Sequence, residues 1–135
     1  MVEATANKSL LLILARELAS NLATPMFVVD SYGVLIFYNE AAEALLGQSF
    51  AVTGELSPDV WGGAMFGPEA LDGTPITVAD LPLSHTLVDQ TPAHAMFRIT
   101  GLDGVKRTIA ATTFPLFAKV GFLSGAVAIF WEVAE

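Results

Sequence analysis

The sequence has 135 residues, 53% of them hydrophobic, which is one domain's length with enough apolar side chain to build its own core. It contains no cysteine, which excludes disulfides, a thiolate nucleophile, cysteine-ligated zinc and cysteine-held iron–sulfur clusters. Fourteen acidic residues against six basic ones give a formal charge of −8, and a chain without a basic footprint is not a nucleic-acid binder.

Mean hydropathy is high, +0.59, so a membrane span has to be considered first. The longest charge-free runs, 18–29 with Pro25 inside it and 120–131, both fall short of the roughly 20 residues that a spanning helix needs. At the N-terminus Glu3 precedes Lys8, and the run Leu10 to Leu14 leads into Arg16 and Glu17, which is not the pattern of a signal peptide. A cytoplasmic chain without membrane insertion is expected. Because only 15% of residues are charged, part of the surface should be apolar and better covered than left in water, the pattern of a self-associating domain.

In "NKSLLLILARELASNL", residues 7–22, Leu11, Leu14, Leu18 and Leu22 recur at helical spacing, Leu10 and Ile13 widen the stripe, and Asn7 or Ser9 is placed to cap the start. The stripe fits a helix lying on its own domain's core, but its width favours a flanking helix, residues 1–22, shared between two copies of the chain, ahead of a main domain over 23–135. Pro25 ends it. Met26 to Val29 reads as a strand, Asp30 to Gly33 as a turn in which glycine supplies positive φ, and Val34 to Tyr38 as the returning strand. Asn39 is placed to cap the helix "EAAEALL", whose first turn carries Glu40 and Glu43, and Gly47 to stop it. Between Gln48 and Thr77 no period persists, and only a helical turn or two around Pro58 to Phe66 is predicted. Thr77 with Asp80 resembles a capping box before a short helix, Asp80 to Asp89. "AHAMFRIT", "KRTIAATTFPLF" and "GFLSGAVAIFWEV" then read as three strands, the first two joined by a turn at Asp103 and Gly104. Two strands, small helices and a three-strand meander make an α+β fold with an antiparallel sheet.

Over residues 23–133 these pieces resemble the PAS domains of bacterial signalling and sensor proteins. The resemblance is carried by "VVDSYGVLIFYNEAAEALLG", "GTPITVADLPLSHTLVDQTPAHAMFRI", "GLDGVKRTI", "TTFPLF" and "SGAVAIFWE", in the family's order. It implies a five-stranded antiparallel sheet in the order 2-1-5-4-3, short helices over one face enclosing a cavity, and a sensory role in signal transduction by ligand or partner binding. The chain departs from the family in lacking the Asp-Gly between its last two strands and the Asp-Ile-Thr that couples these domains to a following effector. Output through homodimerisation or a partner protein is therefore expected if the sequence is a whole protein, and coupling to a following segment stays open if it is an excised domain.

The residues narrow the sensor chemistry. A cysteinyl-flavin adduct is excluded by composition, whereas non-covalent flavin could stack on Trp61, Phe66 or Trp131. Haem would need His85, on the helix before the third strand, as its axial ligand; His94, at a strand start, is the weaker alternative. Arg98, Lys106 and Arg107 are too few for a di-acid site, Arg98 facing opposite to Phe97 and Ile99 and the other two flanking a turn in solvent. Leu83, Leu87, Met96, Ile109 and Phe114 are expected to line a pocket for a small apolar ligand, with His85 and Arg98 as its polar candidates. A small isomerase- or hydratase-like enzyme using His85 with Asp89 is the alternative, but no nucleophile elbow, phosphate loop or metal spacing supports it. The reading is a homodimeric PAS domain with no catalytic residue, no metal unless haem sits on His85, and no resident cofactor.

Overall fold

The computed structural model describes residues 2–134; the outermost positions of the two expected segments, Met1 and Glu135, lie outside the described residues. Helix α1, Val2–Ser20, is followed by strands β1, Met26–Asp30, and β2, Leu35–Tyr38, and by helices α2, Glu40–Leu46, and α3, Phe50–Thr53. A π-helical turn, Val60–Ala64, and a 3-10 turn, Val78–Asp80, lead to α4, Pro82–Asp89, and to strands β3, Ala93–Thr100, β4, Lys106–Lys119, and β5, Phe122–Glu132. The strands form one antiparallel sheet in the order β2-β1-β5-β4-β3, as expected.

The local signals act as their chemistry demands. Asp30 Oδ1 accepts from the amides of Tyr32 and Val34 at 2.9 and 3.0 Å, and Gly33 takes φ 83°, which together fold the first hairpin. Gly47 closes α2 at φ 81°, donating its N–H to Glu43 O, and a Cβ there would lie 2.6 Å from Asp103 N. That close approach lets the end of α2 sit on the β3–β4 turn, where Leu102 N donates to Leu46 O at 2.8 Å. In this turn Gly104 has φ 79°, and Asp103 accepts from Val105 N at 3.1 Å.

Three expectations are corrected. Arg107 is not in solvent: its guanidinium donates to Leu45 O at 2.9 Å and pairs with Asp103 at 3.0 Å, holding the Asp103 carboxyl below the usual carboxylate range. Helix α1 runs from Val2 through Asn7 and Ser9, so neither stands at its start. The four-residue α3 had no sequence period; it is anchored instead by Phe50, edge-on to Phe37 and Tyr38 at 5.5 and 5.4 Å.

"MFVV" shows no alternation because both faces of β1 are buried. Phe27 and Val29 face the core under the small helices, whereas Met26 and Val28 face α1. Helix α1 seats on this outer face through Leu12, Ala15 and Ala19, with the Arg16 guanidinium 4.7 Å from the Phe37 ring centroid. Asn39 joins these layers. Its Oδ1 accepts from Met26 N and Ala42 N, both at 3.0 Å, and its Nδ2 donates to Ala19 O and Thr24 O, both at 2.9 Å.

Asn39→Ala strands these buried groups and is expected to cost about 3 kcal/mol in urea unfolding. Asn39→Asp keeps the acceptor and loses the donor, so amide exchange should rise in 12–22 while β4 and β5 stay protected; uniform loss across the sheet would contradict the assignment.

Burial raises the Tyr38 hydroxyl above its ordinary 10.0, a Thr53 hydrogen bond opposes this, and Glu43 adds to the rise. The folded state then holds this proton more tightly than the unfolded state, so stability is full below pH 10.0 and is lost as pH rises through the folded value. Tyr38→Phe should flatten the fall in the urea midpoint as pH rises above 10.0.

Candidate functional site

The inner face of the sheet has small residues at its centre. Strand alternation directs Ile109, Ala111 and Thr113 of β4 and Ala126, Ala128 and Phe130 of β5 to the same side. Over them the chain lays Leu46 from α2, Trp61 from the π-helical turn, and Leu81 and Leu83 before and within α4. The alanines leave the space that larger side chains would fill, a chamber of about 80 Å³. Phe27 and Trp61 meet edge to face at 5.3 Å on its wall, and Trp61 Nε1 donates to Gly33 O at 2.9 Å, tying the chamber to the first hairpin.

The polar feature of the wall is Thr113. Its Oγ1 lies 2.6 Å from Thr86 Oγ1, 3.2 Å from Pro82 O and 3.5 Å from Ala93 O, and both threonines are fully buried. The hydroxyl pair pins α4 to β4.

Of the expected pocket residues, the structure brings Leu83 and Ile109 to the chamber. Leu87 packs against the same core without lining the chamber. Met96 and Phe114 are corrected to the opposite face: each is one residue from an inward neighbour, Phe97 and Thr113, and Phe114 packs in the outer cluster beneath α1. Arg98 is outside as well; its backbone bridges to Glu69 and its guanidinium donates to Leu71 O. Sequence reasoning missed Phe97, Ala111, Thr113 and Ala128, all reachable by counting in twos from Ile99 or Ile109 and across the pairs of β4 with β5.

His85 is exposed, in a surface cleft of about 410 Å³ beside α4 and the start of β3, with Asp80, Asp89 and His94 on the same rim. His94 Nδ1 lies 2.9 Å from Thr112 Oγ1, and no hydrogen bond or ion pair joins His85 to Asp89 among the described residues. Haem does not fit, because its proposed ligand points away from the chamber. Flavin does not fit either: a cavity of about 150 Å³ accommodates a single benzene ring, and this chamber is smaller. No group of metal-ligating side chains is present among the described residues.

Of the dimer candidates, Leu14, Leu18 and Leu22 are exposed and Leu11 is half-buried. No described helix is long and apolar enough to cross a membrane.

Residues 14–80 match a family model described as a PAS domain. No curated protein matches the sequence. Among solved structures, the PAS domain of Bordetella pertussis BvgS is similar at TM-score 0.61 and 17% identity, over 92% of this chain and 86% of that one. The PAS domain of the fruit-fly ELK potassium channel gives TM-score 0.71 at 9% identity, over 92% and 98%. The LOV domain of the Erythrobacter litoralis EL346 blue-light activated histidine kinase gives 0.63 at 16%, over 85% and 100%. With the family match over the first strands and helices, and the shared fold continuing through the closing strands, this chain is a PAS domain.

Proposed function

We propose that the chain is a sensory, non-catalytic module that acts as a homodimer, with a small apolar ligand received in the chamber and the paired α1 helices carrying its effect. The observation that supports pairing is that α1 is apolar on two sides. Ala15 and Ala19 are buried against its own sheet, while Leu10, Ile13, Leu14 and Leu18 are each more than half exposed, at 55–57%. A stripe of leucines left in water beside a covered alanine face is the geometry of a helix with two partners.

The outer sheet has complementary surface. Met96 and Trp131 both pair with Ala110 on the outer side of β3, β4 and β5, beyond the part that α1 covers, and both are exposed. A second copy would bring leucines to these positions and remove both surfaces from water. Similar domains belong to a blue-light activated histidine kinase and to a potassium channel, which supports a module whose output lies with a partner. The partner's identity is set by surfaces outside the fold.

Leu14→Glu with Leu18→Glu places charge on exposed positions and leaves the fold intact. Sedimentation at tens of micromolar should show a dimer for the parent chain and a monomer for the double variant, with thermal midpoints within a few degrees of each other. A monomeric parent chain, or a variant that remains dimeric, would refute pairing through α1.

A further inference from the structure

Strands β2 and β3 form the two edges of the sheet, and an edge strand presents backbone groups with which a further strand can pair. On β2, Leu35 is already met by Leu56, the two exchanging hydrogen bonds of 2.8 and 3.2 Å. The second half of β3 is met in the same way. Arg98 exchanges hydrogen bonds of 2.8 and 2.9 Å with Glu69, and Thr100 N donates to Phe66 O at 2.8 Å. The first half is open. Strand β3 pairs with β4 residue for residue from Ala93 to Thr100, so His94 and Met96 point their N–H and C=O groups the same way as Arg98, off the sheet. Among the described residues no hydrogen bond meets them there.

This open edge borders the surface cleft of about 410 Å³. Ala93 and Ala95 form its β3 side, and Pro82, His85 and Asp89 of α4 face them. An antiparallel strand laid against His94 and Met96 would send alternate side chains into the cleft, opposite Ala93 and Ala95, whose small side chains leave them room. The residues between would lie beside Met96 in the plane of the sheet, extending its outer apolar surface without covering it.

Charge selects the occupant. Asp80 and Asp89 line the cleft, both exposed, and no lysine or arginine lines it. Asp89 is the last residue of α4, where the helix dipole is negative and no basic side chain offsets it. Neither carboxylate has an ion pair among the described residues. A second copy pairing through its own β3 would bring another Asp80 and Asp89 to the same rim, in a chain of formal charge −8.

We propose that this edge takes up an extended segment of a partner protein as an added antiparallel strand, with lysine or arginine side chains entering the cleft and apolar side chains between them. Backbone pairing supplies the attachment, and Asp80 and Asp89 supply the preference for a cation.

The probe is the end-blocked peptide Lys-Val-Lys-Val-Lys, titrated into the intact chain and followed by the amide resonances of His94 and Met96. Saturable shifts are expected, at least five-fold tighter than with Glu-Val-Glu-Val-Glu. Without peptide the amides of His94 and Met96 should exchange faster than those of Ala95 and Phe97, which are bonded to β4, and the lysine peptide should slow them. Methylating both valine nitrogens removes the donors aimed at β3 and should abolish binding, whereas methylating the central lysine nitrogen, which faces away, should change it less than two-fold. In Asp80→Asn with Asp89→Asn the two charge forms should bind within two-fold of each other. No saturable shift at millimolar peptide, or binding that survives methylation of the valines, would overturn the added strand. A charge preference that survives the double variant would overturn the role of the carboxylates. Protection of His94 and Met96 in the chain alone, lost on dilution to monomer, would overturn the proposal in favour of a second copy. None of these outcomes involves the chamber or the pairing of α1.

Discussion

The side chain of Asn39 is the joint on which the two layers of this domain depend. Its oxygen caps α2 and holds the first amide of β1, and its nitrogen holds the carbonyls at the end of α1 and in the linker. Among short side chains only an amide supplies two N–H donors together with an acceptor oxygen. Serine or aspartate would cap α2 equally well but could not fasten α1 with two N–H groups. The site is fully buried, so each group it satisfies would otherwise carry a desolvation penalty. The residue that starts a helix is therefore also the one that fixes where the preceding helix lies.

That attachment explains how so apolar a chain manages both faces of one sheet. The inner face is covered by chain that has little regular structure between α2 and α4 and is held by aromatic contacts, a buried threonine pair and the Glu69–Arg98 bridge. The outer face is covered by a single helix, and only in part. Alanines on α1 allow it to approach closely, and its leucines are left pointing the other way. Small residues on the inner strands have the reverse effect: the covering helices cannot descend to meet Ala111 and Ala128, and the chamber is the remainder.

What was legible in the sequence was what local chemistry decides. Asp30 with Gly33, Asn39 with Gly47, and Asp103 with Gly104 each fix a turn or a helix end through their own side chain or backbone freedom, and all three structures are found where the residues stand. The three closing strands were legible because they are long and each is separated from the next by a glycine-containing turn, Gly104 and Gly121. The chamber was not, since it depends on parity. Choosing large apolar residues selected Met96 and Phe114, yet a strand places neighbours on opposite faces, and the rule that set Arg98 apart from Phe97 and Ile99 also sets Met96 apart from them. The stretch 48–77 was illegible for another reason: its turns are held by partners distant in sequence, such as Trp61 on Gly33 and Glu69 on Arg98, and carry no period of their own.

The same parity bears on how a filled chamber could be felt outside. Phe27 and Ala128 line the chamber and face each other across β1 and β5, while their chain neighbours Met26 and Val127 form the seat of α1. The two faces are thus separated by one backbone layer. A ligand that presses on Phe27 or Ala128 acts on the strand pair that carries α1, and Met26 is the residue whose amide Asn39 holds. Interior packing is too dense for such a displacement to be absorbed locally. On the helix side Ala15, Ala19 and Leu12 make the contact with this seat, so the packing of α1 is separated from the chamber by that single backbone layer.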